Sequence, residues 1–522
     1  MVTMMLITAM AVIASSDATM RATRERCSSF IGTESLSISP SGAVFHKQIH
    51  ITLPGHRRTL KAYLQRITPD ALLTLGADVV RIYRVTPRVR HPMSLAPQAH
   101  LSTSTNGYQP LVVVLLSPLA FALVFACWTL FAVLGMELKR TLGFDEFDFA
   151  LLLATPMLTA ALASLPQARL ARWIGGRRVM LGCLLLICPF LWWISVAEHY
   201  LEFLLAGGGL GLGAGSLAAG LVYVAAWGPR GRIGLALGLY GAGTLGAGLS
   251  YWLLPLVSQA YGWRLAPRLY LLLVLLVALL LWLFAEDETG EETKPSSSDD
   301  SGSSSSRRRW RRWLAGLMPP TGWQLWRLAL YYSFFYGAFV ALALWLPSYL
   351  AAQYQLTLQQ SALWALLFIL AGGLGQILGG MLADWRDFRA LRWWVSAWVL
   401  ICLFLLSYPP FSIQIQGVHG EVAFSVSTPL WAFDSLLVLM GLAMGVGKGS
   451  LMRLIHRDHG DNMARVGGLA LALGGLFAGV LPMVFVLGNE WIGIRSAGFM
   501  FLYGALVVCM LVMLWDHASG QS

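Results

Sequence analysis

Twelve long apolar runs fix what this chain can become. They fall at about residues 111–136, 146–170, 178–197, 200–226, 232–259, 266–285, 324–352, 358–383, 391–410, 428–452, 464–488 and 494–516. Runs of this length and hydropathy match the hydrocarbon core of a bilayer. Inside lipid each backbone N–H and C=O must be satisfied within the protein, so such runs fold as helices. The 53 glycines crowd into the same runs, as close packing between membrane helices requires. Charged residues make up only 12% of the chain, against about 25% in soluble domains. The expected fold is an all-α membrane protein of twelve transmembrane helices.

The distribution of the basic residues orients those helices. With the N-terminus placed in the cytoplasm, the inner connections hold Arg169, Arg172, Arg177, Arg178, Arg230, Arg232, the run 307–312, Arg386, Arg389, Arg392, Arg453, Arg457 and Arg465. The opposite side holds only Lys139, Arg140, Arg264, Arg268 and Arg495. That asymmetry predicts both termini on the cytoplasmic side. It also accounts for the net charge of +11 without a nucleic-acid partner. The partners expected are the lipid bilayer and a small solute. Cys27, Cys127, Cys183, Cys188, Cys402 and Cys509 show no metal-ligand spacing and read as packing residues. No cluster has the spacing of a metal or catalytic site, and "GLGLGAGSLAAG" is a glycine-rich membrane helix rather than a phosphate loop. No enzyme activity, cofactor or metal is expected.

Two stretches interrupt the pattern. Residues 1–108 are arginine-rich with no spanning run, and the opening "MMLITAMAVIA" is too short to span and lacks a preceding basic region. This extension reads as a cytoplasmic tail or as translation assigned upstream of a start near Met93. Residues 286–323 open acidic, turn serine-rich and end basic, a composition that builds no core. They form a cytoplasmic linker that divides the spans into a half over 109–285 and a half over 324–522.

One phrase occurs in both halves. "PQARLARWIGGRR" (166–178) follows the second span and "GGMLADWRDFR" (379–389) follows the eighth. Two six-helix halves, a repeat and a long central loop resemble the major facilitator superfamily, whose substrate site lies between the halves. The phrase resembles that family's G-x-L-A-D-R-x-G-x-R-R loop, which locks the inner side through acid–base contacts. The resemblance implies gating roles for Asp384, Arg389, Arg177 and Arg178. The first copy carries Arg172 where the acid belongs, which leaves that lock without its carboxylate.

Further segments resemble the nitrate/nitrite porter branch. They are "FACWTLF" (125–131), "LLLATPMLTAALASLP" (151–166), "GAGTLGAG" (241–248), "YSFFYGAFVA" (332–341), "GVGKGSLMRLI" (445–455) and "GGLALALGGLFAGVLP" (467–482). Together they cover about residues 110–516. The resemblance implies transport of a small solute, possible inorganic anion exchange, and a site at Ser164, Gln376, Thr244, Tyr251, Tyr332, Tyr336 and Trp128. The porters bind their anion with an arginine in helix 2 and another in helix 8. Here Ser164 and Gln376 occupy those positions, so the site is polar and uncharged.

Lys448 is the residue that restores a charge. It replaces the neutral residue of the helix-10 pattern, between Gly447 and Gly449. Two readings stay open: contact with substrate, or a side chain that snorkels to the interface or pairs structurally. No acid or histidine is expected deep in a span, with Glu202 and Asp434 placed near the outer ends. This favours exchange or facilitated movement over carboxylate-based proton coupling. The alternatives are a porter-derived sensor or assembly partner, and efflux of another organic solute. The expected location is a bacterial inner membrane, by resemblance.

Overall fold

The structure is a computed structural model that describes residues 109–229, 231–287, 323–385, 388–409, 411–417, 420–426, 428–460 and 463–518. The expected extension over 1–108 and nearly all of the expected linker lie outside them. Among the described residues twelve helical segments follow one another. The first half comprises α1 Gln109–Leu142, α2 Glu146–Ile174, α3 Gly176–Val196, α4 Tyr200–Trp227, α5 Ile233–Tyr261 and α6 Leu265–Phe284. The second comprises α7 Trp323–Tyr354, α8 Leu358–Trp385, α9 Phe388–Leu406, α10 Leu430–His459, α11 Met463–Ile492 and α12 Ala497–Ala518. Eleven are long and apolar enough to cross a membrane, and α9 contributes a shorter apolar stretch, Leu391–Leu406. The chain is an integral membrane protein.

Local chemistry sets the helix boundaries. Asp145 caps α2, its Oδ1 accepting the Asp148 N–H at 2.6 Å, with Glu146 and Asp148 in the positive first turn. α2 ends at Gly175, whose φ of +96° turns the chain directly into α3. A side chain there would be strained.

Three helices are interrupted along their length. α1 breaks at Thr129, whose hydroxyl donates to the Phe125 and Ala126 carbonyls. α4 tightens into a 3₁₀ turn at Leu212–Ala214, and α5 does so at Ala242–Leu245. The α5 turn falls inside "GAGTLGAG", where glycine lets α5 lie against α1. A Cβ on Gly246 would collide with the Ala122 carbonyl.

One element went unanticipated. The run expected over 391–410 leaves the helix after Leu406, and the chain forms an antiparallel hairpin, β1 Phe411–Gly417 and β2 Gly420–Val426. Its register pairs Phe411 with Val426 and Gly417 with Gly420, closing over two residues.

The halves meet along two helix pairs. α2 packs on α11, where a Cβ on Gly475 would sit 3.2 Å from the Met157 carbonyl and from Ala161. α5 packs on α8, with Gly234 and Gly238 against Gly380 backbone to backbone.

Candidate functional site

A small cavity lies between the halves, with room for about one water. α1 and α4 contribute Phe121, Leu217 and Leu221 to its wall, and α5 contributes Leu237, Tyr240, Gly241 and Thr244. From the second half come Tyr332 and Tyr336 of α7, Gln376 of α8 and Met452 of α10. Four of the residues expected at a site therefore converge: Thr244, Tyr332, Tyr336 and Gln376.

Sequence spacing explains part of this convergence. Tyr332 and Tyr336 are one helical turn apart, so both point one way. Their rings stack with centroids 5.5 Å apart and planes 14° from parallel. Gln376 sits between Gly241 of α5, which leaves room for its side-chain amide, and Gly445 and Gly449 of α10, which let its backbone approach closely. Its Oε1 and the Thr244 hydroxyl are buried without a hydrogen-bond partner among the described residues. Unmet polar atoms facing a cavity are the atoms a polar ligand or water satisfies.

Other expected residues lie elsewhere. Ser164 is buried on α2, its hydroxyl donating to the Ala160 carbonyl at 2.7 Å. It does not line the cavity; its neighbours Leu165 and Ala168 meet Gly468 of α11. Tyr251 donates its hydroxyl to the Ala343 carbonyl and thereby ties α5 to α7. Trp128 donates Nε1 to the Leu210 carbonyl at 3.0 Å, joining α1 to the start of the α4 turn. These two side chains hold helices together rather than facing the central space.

Lys448 is wholly buried, and its Nζ stands 3.3 Å from the centroid of the Phe339 ring on α7. The side chain does not snorkel to an interface. Nζ has no hydrogen-bond partner among the described residues.

The repeated loops take different partners in the two halves. The Asp384 carboxylate receives the Gly234 N–H at 3.0 Å and the Leu235 N–H at 3.1 Å, capping α5 across the interface. The same carboxylate takes Arg453 Nε of α10 at 2.7 Å. Arg177 and Arg178 instead share Asp287 at the end of α6, at 3.2 and 2.7 Å. Arg177 also donates to the Trp282 carbonyl at 2.6 Å. These pairs tie the α2–α3 turn to the chain just beyond α6 and do not reach the second half. The Arg389 side chain lies outside the described residues.

Tyr240, Phe121 and Arg453 were not anticipated. Tyr240 immediately precedes "GAGTLGAG", and its hydroxyl donates to the Ser216 carbonyl at 2.7 Å while its ring faces Phe121 at 5.7 Å. Arg453 stands within the quoted helix-10 stretch; its signal was the need of an unpaired Asp384 for a cation. Asp434 stands near the start of α10, the end expected to face outward; it is only 3% exposed and its Oδ1 has no partner among the described residues.

The sequence profile of the Major Facilitator Superfamily matches residues 116–482. A probable nitrate/nitrite antiporter, NarK1, of Thermus thermophilus is 30% identical over 419 residues, covering 77% of this chain and 90% of the relative. The nitrite extrusion protein of Bacillus subtilis is 25% identical, covering 77% of this chain and 93% of its own length. A probable nitrate transporter, NarT, of Staphylococcus carnosus is 24% identical, covering 76% and 93%. The chain belongs to the Major Facilitator Superfamily, in the nitrate/nitrite porter-like branch that these relatives represent.

Proposed function

We propose that this protein is a secondary transporter that exchanges nitrate and nitrite by alternating access across a bacterial inner membrane, with both termini in the cytoplasm. The observation that carries this reading is the cavity between the halves, where Gln376 and Thr244 present unmet polar atoms beside the stacked Tyr332 and Tyr336. The relatives support the substrate class, because their names place nitrate or nitrite transport in this branch.

The arrangement of α5 supports alternating access. One end of α5 is held to α8 by Asp384, and Tyr251 holds it to α7 further along. Gly234 and Tyr251 are about 26 Å apart at 1.5 Å per residue. Tyr240, Gly241 and Thr244 lie between the two ties and face the cavity. Releasing one tie while keeping the other opens the cavity to one side only. In this role Asp384, with Arg453, gates the cytoplasmic side. Arg177 and Arg178 brace the α2–α3 turn against α6.

Counterflow decides the reading. Purified protein in liposomes loaded with nitrite should take up external labelled nitrate and release nitrite in return. Absence of exchange in folded protein, with either ion on either side, would sink it.

A further inference from the structure

The cavity wall carries no formal charge, yet a wholly buried lysine, Lys448, lies on the adjoining stretch of α10. We propose that Lys448 is the anion-binding charge of this transporter, parked on Phe339 when the site is empty and drawn to the anion when the site fills. The proposal rests on the transport reading above and names the group that recognises the substrate.

Three observations carry it. First, Lys448 is wholly buried, and Nζ has neither a hydrogen bond nor an ion pair among the described residues. A buried ammonium is retained at a cost unless something pairs with it. The Phe339 ring face, 3.3 Å away, offsets only part of that cost.

Second, Lys448 sits at the depth of the cavity. A Cβ on the next residue, Gly449, would collide with the Gln376 carbonyl, and one on Gly447 would stand 3.0 Å from Phe335. The lysine is thus carried on the turn of α10 that grips the cavity-lining part of α8.

Third, its resting partner leads to the cavity. Phe339 follows Tyr336 by three positions on α7, and residues so spaced are neighbours on a helix face. A four-carbon stem with free rotation can leave one face for the other. An ammonium suits a small monoanion, whose single charge it neutralises in a site that excludes water. The cavity-facing Gln376 and Thr244 then supply orientation, and Lys448 supplies charge.

The test compares wild type with Lys448→Met and Lys448→Arg in two measurements. One is the half-saturation for nitrate in counterflow. The other is the melting temperature in detergent with nitrate, nitrite, formate or chloride added, and with no added anion. Lys448→Met should reduce exchange at least about tenfold, the loss expected when one charge-assisted contact of roughly 1.4 kcal/mol or more disappears. Without anion it should melt above wild type, because an unmet buried polar head has gone. Its anion-induced rise in melting temperature should vanish. Lys448→Arg should keep part of both anion responses.

A merely structural lysine gives the opposite sign, with anion-free Lys448→Met melting below wild type; that result overturns the assignment. Exchange by Lys448→Met at the wild-type half-saturation also overturns it and leaves the transport reading standing. Wild type that fails to exchange nitrate, yet is stabilised by another of these anions only when Lys448 is present, upholds the assignment and removes nitrate as the substrate. Wild type with neither exchange nor stabilisation by any of the four removes both.

Discussion

Asp384 and Arg453 form an ion pair of 2.7 Å between α8 and α10, and the same carboxylate caps the first turn of α5 in the other half. Asp384 is 6% exposed in its side chain and Arg453 22%, so both are largely withdrawn from water. One side chain therefore does two tasks that reinforce each other. Arg453 fixes the carboxylate's orientation, and the helix end supplies two N–H donors and a positive dipole.

Removing that carboxylate should release the cytoplasmic side. Asp384→Ala leaves Arg453 without its partner and strips the cap from α5, a loss of about 3 kcal/mol from the closed state. A thiol placed in the cavity as Thr244→Cys should then react with a membrane-impermeant maleimide from the cytoplasmic face of inverted vesicles. Asp384→Asn, which keeps an acceptor for Gly234, should show an intermediate rate.

The opposite face should respond to Tyr251. Tyr251→Phe removes one neutral hydrogen bond to the Ala343 carbonyl, worth about 1 kcal/mol. The fold should survive, and Thr244→Cys should become reactive from the outer face in right-side-out cells. Equal labelling of the two variants from one side would show that the ties do not govern separate openings.

Glycine positions divide into those that carry packing and those that do not. Gly246→Ala places a methyl group on the Ala122 carbonyl and should cost about 1–3 kcal/mol or more through overpacking of α1 against α5. Gly182 on α3 has nothing within 4 Å of the point where a methyl group would stand, so Gly182→Ala should be neutral or slightly stabilising. Melting temperatures of the two purified variants check the contrast.

Gln376 separates recognition from folding. Its Oε1 is buried without a partner among the described residues, so Gln376→Leu removes an unmet polar atom and should change stability by no more than about 1 kcal/mol. Its half-saturation for nitrate should rise about tenfold, as expected when an orienting hydrogen bond to a charged ligand is lost. A collapse in melting temperature would instead make Gln376 a packing residue between α5 and α10.

Eleven of the twelve expected spans were legible because hydropathy over twenty residues reports the bilayer directly. The repeat of "LARW" and "LADW" suggested their division into two halves. The direction in which each side chain points was harder to read. Tyr240 and Tyr251 are both aromatic hydroxyls near the same glycine stretch, and the 3₁₀ turn at Ala242–Leu245 lies between them. That turn changes the rotation per residue, so counting along an ideal helix does not give the facing of both. Tyr240 reached the cavity and Tyr251 reached a backbone carbonyl. Trp128 likewise precedes the break at Thr129.

The hairpin was missed for a different reason. "FSIQIQG" and "GEVAFSV" alternate apolar and polar residues, the period of a strand. A window tuned to twenty-residue apolar runs passes over seven-residue alternation.

The two ties on α5 also bear on how tightly the membrane stays sealed. They are about 26 Å apart along the helix, and the outer one is a hydrogen bond between uncharged groups, so no charge pair links them. Neither tie can report its condition to the other through electrostatics; only the helix between them can transmit it. A continuous water path needs both ties broken at once, which is the product of two separately rare events. Ion leak is thus suppressed without a dedicated plug, and the bilayer's gradients persist while the protein turns over.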